Sequence, residues 1–506
     1  MERRQVKASV AALFYVVVGL LALIIVRGNL RYTWRATISV PMADAWWFVD
    51  TFIHRYFDGS LGVLDFFAKR GSLDNAQPLQ KILLLLNTVI FDMDFGVEGV
   101  FGVIFGILFV GFATWLVRVE TRGQPYAGVA SGLSLLGLAA IVFSLNDLGV
   151  FNWSLATLSL FYPLGVLALL ICAEYCLRKR RPLLLATTFL AACLLLDTAA
   201  ILVAAAVCAL IVLRRTQAQG RVWDTKSLAA PLVAVAIYVV GYQLAFPGNR
   251  ADMATMERIH SLFLHGTDAW KAFVIPFGSV VLAPSRIKSM YGAEGFWWCL
   301  APAAILLWIG HVWFWREFLR HRQERVPFVA AGLMLFFYAT IAGIVWGRVP
   351  RFDFNYLMQS RYLVFYELQL VAMLMLLATK AARTTHSITA MSAFAVAVAT
   401  ATFLAGYFLH GNKAVLRSEA MFNRHLADTI VDLANNPAHV PADCSANHLT
   451  ICGWSQSARV EVLDLIRREK LNVFSPTFRT RHGLPPLAPD AGAASKSQSS
   501  GGNPSP

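Results

Sequence analysis

The chain has 506 residues, of which 57% are hydrophobic and only 15% charged, and its mean hydropathy is +0.57. So few charges cannot cover the surface of a water-soluble protein of this length. The net charge of +14 sits in short loops between apolar runs, which excludes a nucleic-acid reading and fits a membrane topology.

The apolar runs approach the ~20 residues that an α-helix needs to cross ~30 Å of hydrocarbon. Helices are expected because each unpaired backbone group costs several kcal/mol in lipid. The predicted class is an all-α integral membrane protein with about eleven transmembrane helices. It has a large first extracytoplasmic loop and a small extracytoplasmic C-terminal tail.

In chain order, residues 1–7 are basic and the run 10–26 follows. Arg27, Gly28 and Asn29 come next rather than a small-residue cleavage site, so the run reads as a retained first helix. Further spans are expected at 97–117, 127–145, 153–177, 183–196, 199–213, 228–246, 296–314, 328–346, 362–379 and 387–409. With the N-terminus inside, the inside loops carry Arg3, Arg4 and Lys7; Arg118 and Arg122; 178–181; Arg214, Arg215, Arg221 and Lys226; Arg316, Arg320, Arg322 and Arg325; and Lys380 and Arg383. Every second loop is short and basic, the positive-inside pattern. One missed or invented span would invert all later loops and break it. The run 183–213 contains Asp197 near its middle. Two short spans meeting at an outer turn, with Asp197 as turn residue or N-cap, fit the flanking basic clusters. A single tilted helix and an intramembrane functional acid are the alternatives.

The outer segment 27–96 is predicted to hold two amphipathic helices, 43–57 and 78–91. The second is too short to span easily and should lie in the interface or pack on the bundle. In the outer segment 247–295, the apolar stretch 269–282 is broken by Pro276 and Gly278 and reads as re-entrant or interfacial. The organisation expected is a transmembrane domain over 1–410, a small tail segment over 411–483 with a second helix near 457–470, and a disordered end over 484–506, rich in Pro, Ala, Ser and Gly. Of seven cysteines, Cys172, Cys176, Cys193, Cys208 and Cys299 lie in helices as small hydrophobes. Cys444 and Cys452 lie in the tail, on the side where disulfides persist, and a bond between them is favoured over a zinc site with His448.

Inside loops are too short to form a site, so any chemistry should lie outside. Asp44 and Asp50 share one short helix, but six residues separate them and they point about 120° apart, so they are not a paired dyad. Trp47 and Phe48 lie one turn from Asp44. Aromatic rings around a carboxylate at a membrane surface suit a sugar-binding cleft and help a general base; an N-cap with an interfacial aromatic belt explains the same pattern. Arg348, Arg351 and Arg361, the last followed by Tyr362, flank another outer loop, 347–361. Outer arginines run against the charge bias. Their guanidinium forks match phosphate oxygens, with lipid headgroups or pairing to Asp353 and Glu367 as the competing explanation. Lys69 and Arg70, close to Asp74-Asn75, add a cationic candidate. Asp147, beside Asn146, places a second acid on the same side or simply caps a loop.

A first span, a long outer loop opening on an acid in an interfacial helix, many further helices and an outer tail together resemble the GT-C superfamily of membrane glycosyltransferases. The resemblance covers roughly residues 8–410 and rests on Asp44-Ala45-Trp46-Trp47-Phe48-Val49-Asp50 and on Gly347-Arg348…Ser360-Arg361-Tyr362. Many members carry an acidic doublet where this chain has Asp44-Ala45, and some an acid-histidine pair where it has Asp74-Asn75. The resemblance implies a polyprenyl-phosphate sugar donor, a glycan or glycolipid acceptor and a bacterial inner membrane. It makes Asp44 the catalytic base, and Trp47, Asp50, Arg70, Asp147, Arg348, Arg361 and Tyr362 substrate-binding candidates. No nucleotide-binding loop or HExxH motif is visible, and a divalent metal is left open. The rival reading is a non-catalytic component of surface-polysaccharide assembly, such as a polymerase, flippase or transporter. A flippase or transporter would place functional charges near the bilayer midplane.

Overall fold

The computed structural model describes residues 2–70, 76–215, 225–247, 253–282, 284–383, 388–412, 415–442, 444 and 449–487. Asp74, Asn75, His448 and nearly all of the expected disordered end lie outside them. The described residues form helices and no strand. Eight helices are long and apolar enough to cross a membrane: Ala12–Ala36, Phe95–Thr121, Ser154–Arg178, Thr225–Ala245, Gly295–His321, Arg325–Gly347, Ser360–Arg383 and Thr389–Gly411. Four shorter apolar helices accompany them, Pro78–Phe91, Ala127–Val142, Pro182–Leu196 and Thr198–Arg214.

The first helix runs unbroken to Ala36, well past residue 26. Hydropathy falls there, but nothing breaks the helix, and tertiary bonds hold its polar end. The buried Asn29 amide donates to the Phe143 carbonyl (3.2 Å), and Thr37 Oγ1 donates to the Phe151 carbonyl (3.0 Å). Arg27, Arg31 and Arg35 therefore ride on a rigid helical end rather than a loop.

Asp197 sits at the turn between Pro182–Leu196 and Thr198–Arg215, with φ +47°. Its carboxylate reaches the first outer segment. Lys69 Nζ lies 3.0 Å and the Ala76 amide 2.8 Å from Oδ2, while the Tyr238 hydroxyl donates to Oδ1 (2.8 Å). The turn thus shares a side with residues 37–94. At the other end of the bundle the basic loops converge. Arg214 donates to the Arg322 carbonyl (2.8 Å), Lys380 meets Glu317 (2.7 Å), Arg325 meets Glu174 (3.3 Å) and Arg383 meets Glu324 (2.6 Å).

Two apolar cores correspond to these levels. One lies within the helical bundle. The other joins Ile38, Val40, Trp46, Val49, Phe52 and Ile53 of the first outer segment to Leu426, Ile430, Val462, Ile466, Val473 and Phe478 of the tail. The tail segment shares its core with the first loop. Its helices are Val415–Asn435, Gln456–Arg468 and Pro476–His482, and Cys444 and Cys452 are joined as a disulfide with Cα atoms 6.0 Å apart. Asn472 clasps the two pieces. Its side-chain amide donates to the Ser39 (3.0 Å) and Met93 (2.7 Å) carbonyls, and its backbone amide to the Asp92 carbonyl (2.7 Å).

The broken stretch 269–282 packs into the bundle. Ile275 to Gly278 are buried, and the Gln369 amide donates to the Pro276 carbonyl (3.0 Å).

Candidate functional site

The chain after the first helix is irregular, bends at Thr37 and Val40 and turns at Ala43, where φ is +49°. That turn delivers Asp44 to the start of a helix comprising Ala45–Phe48, a π-helical turn Val49–Ile53, and His54–Phe57. Trp46, Val49, Phe52 and Ile53 pack into the second core, which leaves Asp44 and Trp47 half-buried on the opposite side. The tail fixes this entry from behind, because Thr450 Oγ1 donates to the Ala43 carbonyl (2.8 Å). Asp44 occupies the N-cap position but makes no side-chain cap bond. Its carboxylate instead forms an ion pair with the Arg70 guanidinium.

Asp44, Trp47, Arg70, Arg348, Arg361 and Tyr362 line one cavity of about 150 Å³. Four separate stretches of chain build it: residues 44–70, the start of Pro78–Phe91 with Gln77 and Gln80, the start of Ser154–Arg178 with Trp153 and Ser159, and the 348–365 segment. The wall is thus one carboxylate, three guanidinium groups, two amides and a set of aromatic rings.

Arg361 is held for presentation rather than for pairing with an acid. Its guanidinium bonds the Tyr356 hydroxyl and lies 6.0, 5.6 and 5.3 Å from the rings of Trp153, Tyr356 and Tyr362. Such cation–π contacts hold the charge in a partly dry setting. The Nε of Arg361 and the Nε1 of Trp153 are buried donors with no hydrogen-bond partner among the described residues. Unmet donors beside a cavity favour an acceptor-rich guest. Arg348 follows Arg325–Gly347 directly, at the negative end of that helix dipole.

Asp147 and Asp50 fall elsewhere. Asp147 is buried behind the wall, where its Oδ1 accepts from Ser360 Oγ (3.0 Å) and from the Gly149 amide (2.9 Å). It ties down the turn that carries Arg361 and does not line the cavity. Asp50 turns toward the tail, near His54 and Glu461. Burial, followed by the Glu461 charge, raises its carboxyl above the ordinary range. It belongs to the packing between loop and tail.

Two supporting contacts leave no trace in the sequence, although Lys69 itself stands there as a cationic candidate. Lys69, next to Arg70, is anchored on buried Asp197 and lies 4.5 Å from the Tyr242 ring. Lys81, buried beneath Trp47 and Phe52, donates to the Asp65 (2.7 Å) and Ala68 (2.6 Å) carbonyls just ahead of Arg70. Burial pulls its ammonium down to about 8. Pairings this far apart in the chain leave no local pattern, although a lysine within the otherwise apolar 78–91 helix was a visible anomaly.

Among the described residues, no group of three or more His, Cys, Asp or Glu side chains is arranged to hold a metal ion. No family model, curated protein or solved structure matches the chain.

Proposed function

We propose that the protein is a membrane glycosyltransferase of GT-C type. In this reading it transfers a sugar from a polyprenyl-phosphate donor to a surface glycan or glycolipid on the extracytoplasmic face of a bacterial inner membrane. The observation that carries this reading is the single cavity that unites Asp44 with Arg70, Arg348 and Arg361. A carboxylate opposite several guanidinium groups suits one partner that loses a proton and another that departs as a phosphate.

In this mechanism Arg348 and Arg361 grip the donor phosphate in bidentate fashion and stabilise the charge that grows as it leaves. Trp47 and Trp153 offer flat apolar faces to the sugar ring. Asp44 accepts the proton of the acceptor hydroxyl. The hydroxyl oxygen forms its bond to the anomeric carbon while the bond from that carbon to the phosphate oxygen breaks. The electron pair leaves with polyprenyl phosphate, and the configuration inverts.

The Asp44–Arg70 pair adds a trigger. Its side chains are 36% and 37% exposed, and such pairs contribute roughly 0–1 kcal/mol. A donor phosphate can therefore draw Arg70 away at little cost, leaving the Asp44 carboxylate free for the acceptor.

Topology belongs to the same proposal. The eight long spans, with Ala127–Val142, Pro182–Leu196 and Thr198–Arg214, give eleven crossings, and Pro78–Phe91 lies at the interface. The basic ends then face the cytoplasm, and the cavity and tail face outward. The test supplies membranes with radiolabelled polyprenyl-phosphate sugars and follows label into glycolipid or glycan. Asp44→Asn should lower transfer by at least ~100-fold while expression persists. Wild-type-level transfer by that variant removes the proposed base, and donor translocation without a new glycosidic bond replaces the transferase reading with a flippase.

A further inference from the structure

A second, larger cavity lies elsewhere on the same side of the bundle. It has a volume of about 980 Å³ and shares no lining residue with the cavity at Asp44. Its walls are the end of the first helix, the end of Thr389–Gly411, the tail helix Val415–Asn435 and the final helix Pro476–His482.

The composition of this groove changes along its depth. At the membrane end the lining is apolar, with Ile24, Gly28, Gly406 and Leu409, and Ile24 is 60% exposed on a spanning helix. At the outer end it is basic, with Arg31, Arg35, Arg417, Arg424 and Arg481. From Ile24 to Arg35 the helix rises roughly 16 Å, the scale of one lipid from upper acyl chain to headgroup. Among the described residues no Asp or Glu lines the groove.

The neighbouring acids lie behind the wall, and only Arg481 and His482 of the lining are paired with one of them. Asp94 is fully buried and caps Phe95–Thr121, and it holds Arg481 (2.6 Å) and His482 (2.9 Å) against the wall. Glu419 takes a hydrogen bond from Asn152, and burial raises its carboxyl above the ordinary range. Arg31, Arg35, Arg417 and Arg424 are exposed, so their field falls on whatever enters. The spacings 31/35 and 417/424 put each pair on one helix face.

We propose that this groove binds a phosphorylated lipid of the outer leaflet, with its phosphate among Arg31, Arg417 and Arg424 and its chain along Ile24, Gly406 and Leu409. A soluble anion would use only the basic end, and a protein partner has no need of a groove that opens onto lipid. Guanidinium groups converging from different helices suit a phosphate, which accepts from several directions at once. The inference goes beyond the transferase reading and holds whether or not Asp44 is a base.

The test uses the purified full chain in phosphatidylcholine nanodiscs and titrates fluorescent phosphatidylglycerol. The triple variant Arg31→Gln/Arg417→Gln/Arg424→Gln should bind on the order of 100-fold more weakly. The charge-matched variant Arg118→Gln/Arg122→Gln/Arg316→Gln, altered at the opposite end, should bind as wild type. A second probe leaves every charge in place. A Cβ added at Gly406 meets nothing within 4 Å, so Gly406→Leu should intrude on the apolar end and also weaken binding. Equal losses in both triple variants, or no loss in the groove variants, overturn the site. Displacement of the lipid by an equal concentration of inorganic phosphate overturns the lipid as its occupant.

Discussion

The residues around Asp44 differ in what they cost to disturb. Lys81 is the most constrained, an ammonium set among aromatic rings with two carbonyl acceptors. Its folded-state value of about 8 lies below that of an exposed lysine. Between about pH 8 and 10 the unfolded chain therefore keeps a proton that the folded chain has lost, and stability rises with pH in that window. Thermal unfolding of the detergent-solubilised protein should show that rise, and Lys81→Met should flatten it; an identical slope in both proteins would place the lysine in water. Gly149 is constrained by space. A Cβ there would stand 2.4 Å from Ser360 Oγ, the atom that Asp147 holds. Gly149→Ala should therefore shift Arg361, lower the proposed transfer about 10- to 100-fold and cost about 1–3 kcal/mol of stability. The measurement is donor KM against kcat, and the expected change is mainly in KM. Asp44, Arg348 and Arg361 were legible because outer arginines oppose the charge bias and an acid beside tryptophans is unusual. The Lys69–Asp197 pair was not, because no spacing rule connects residues that meet only after folding.

At the scale of elements, the outer segments act as braces for one another. Asp197 joins the turn between two short helices to Lys69 and to the Ala76 amide, and its side chain is only 3% exposed. Removing one partner of so buried a pair typically costs about 3–5 kcal/mol, because the other charge stays behind. Asp197→Ala should therefore destabilise the protein by about 3 kcal/mol in denaturant titrations and weaken the proposed transfer by releasing Lys69, the neighbour of Arg70. Full stability would mean that the pair is solvated. The helices themselves were readable from apolar runs. The end of the first helix was not, since hydropathy records where lipid stops rather than where hydrogen bonding stops. The shared core between loop and tail was also hidden. Trp46 is a residue type that an interfacial belt uses, and only its burial in one core with Ile430 and Phe478 distinguishes the two roles.

For the whole molecule, sidedness is the governing property. The contacts sort the connecting segments into two groups: one with basic clusters tied to Glu174, Glu317 and Glu324, and one with both cavities. The proposed orientation, with the basic clusters toward the cytoplasm, rests on the positive-inside bias. Cysteines introduced at the exposed residues Gln323 and Ser457 test it with a membrane-impermeant maleimide. Ser457→Cys should label in intact cells and Gln323→Cys only after permeabilisation. The reverse pattern would invert the molecule, and labelling of both from one side would change the parity of the crossings.

The common core of the first outer segment and the tail also governs assembly. Residues 38–53 leave the ribosome early, but the apolar surface that covers them is encoded hundreds of positions later, beyond the last spanning helix. During synthesis the segment bearing Asp44 must wait with Trp46 and Phe52 uncovered while the remaining helices insert. A nascent chain interrupted before the tail therefore exposes greasy surface for quality-control proteases to recognise, and completion of the cap becomes the last act of biogenesis.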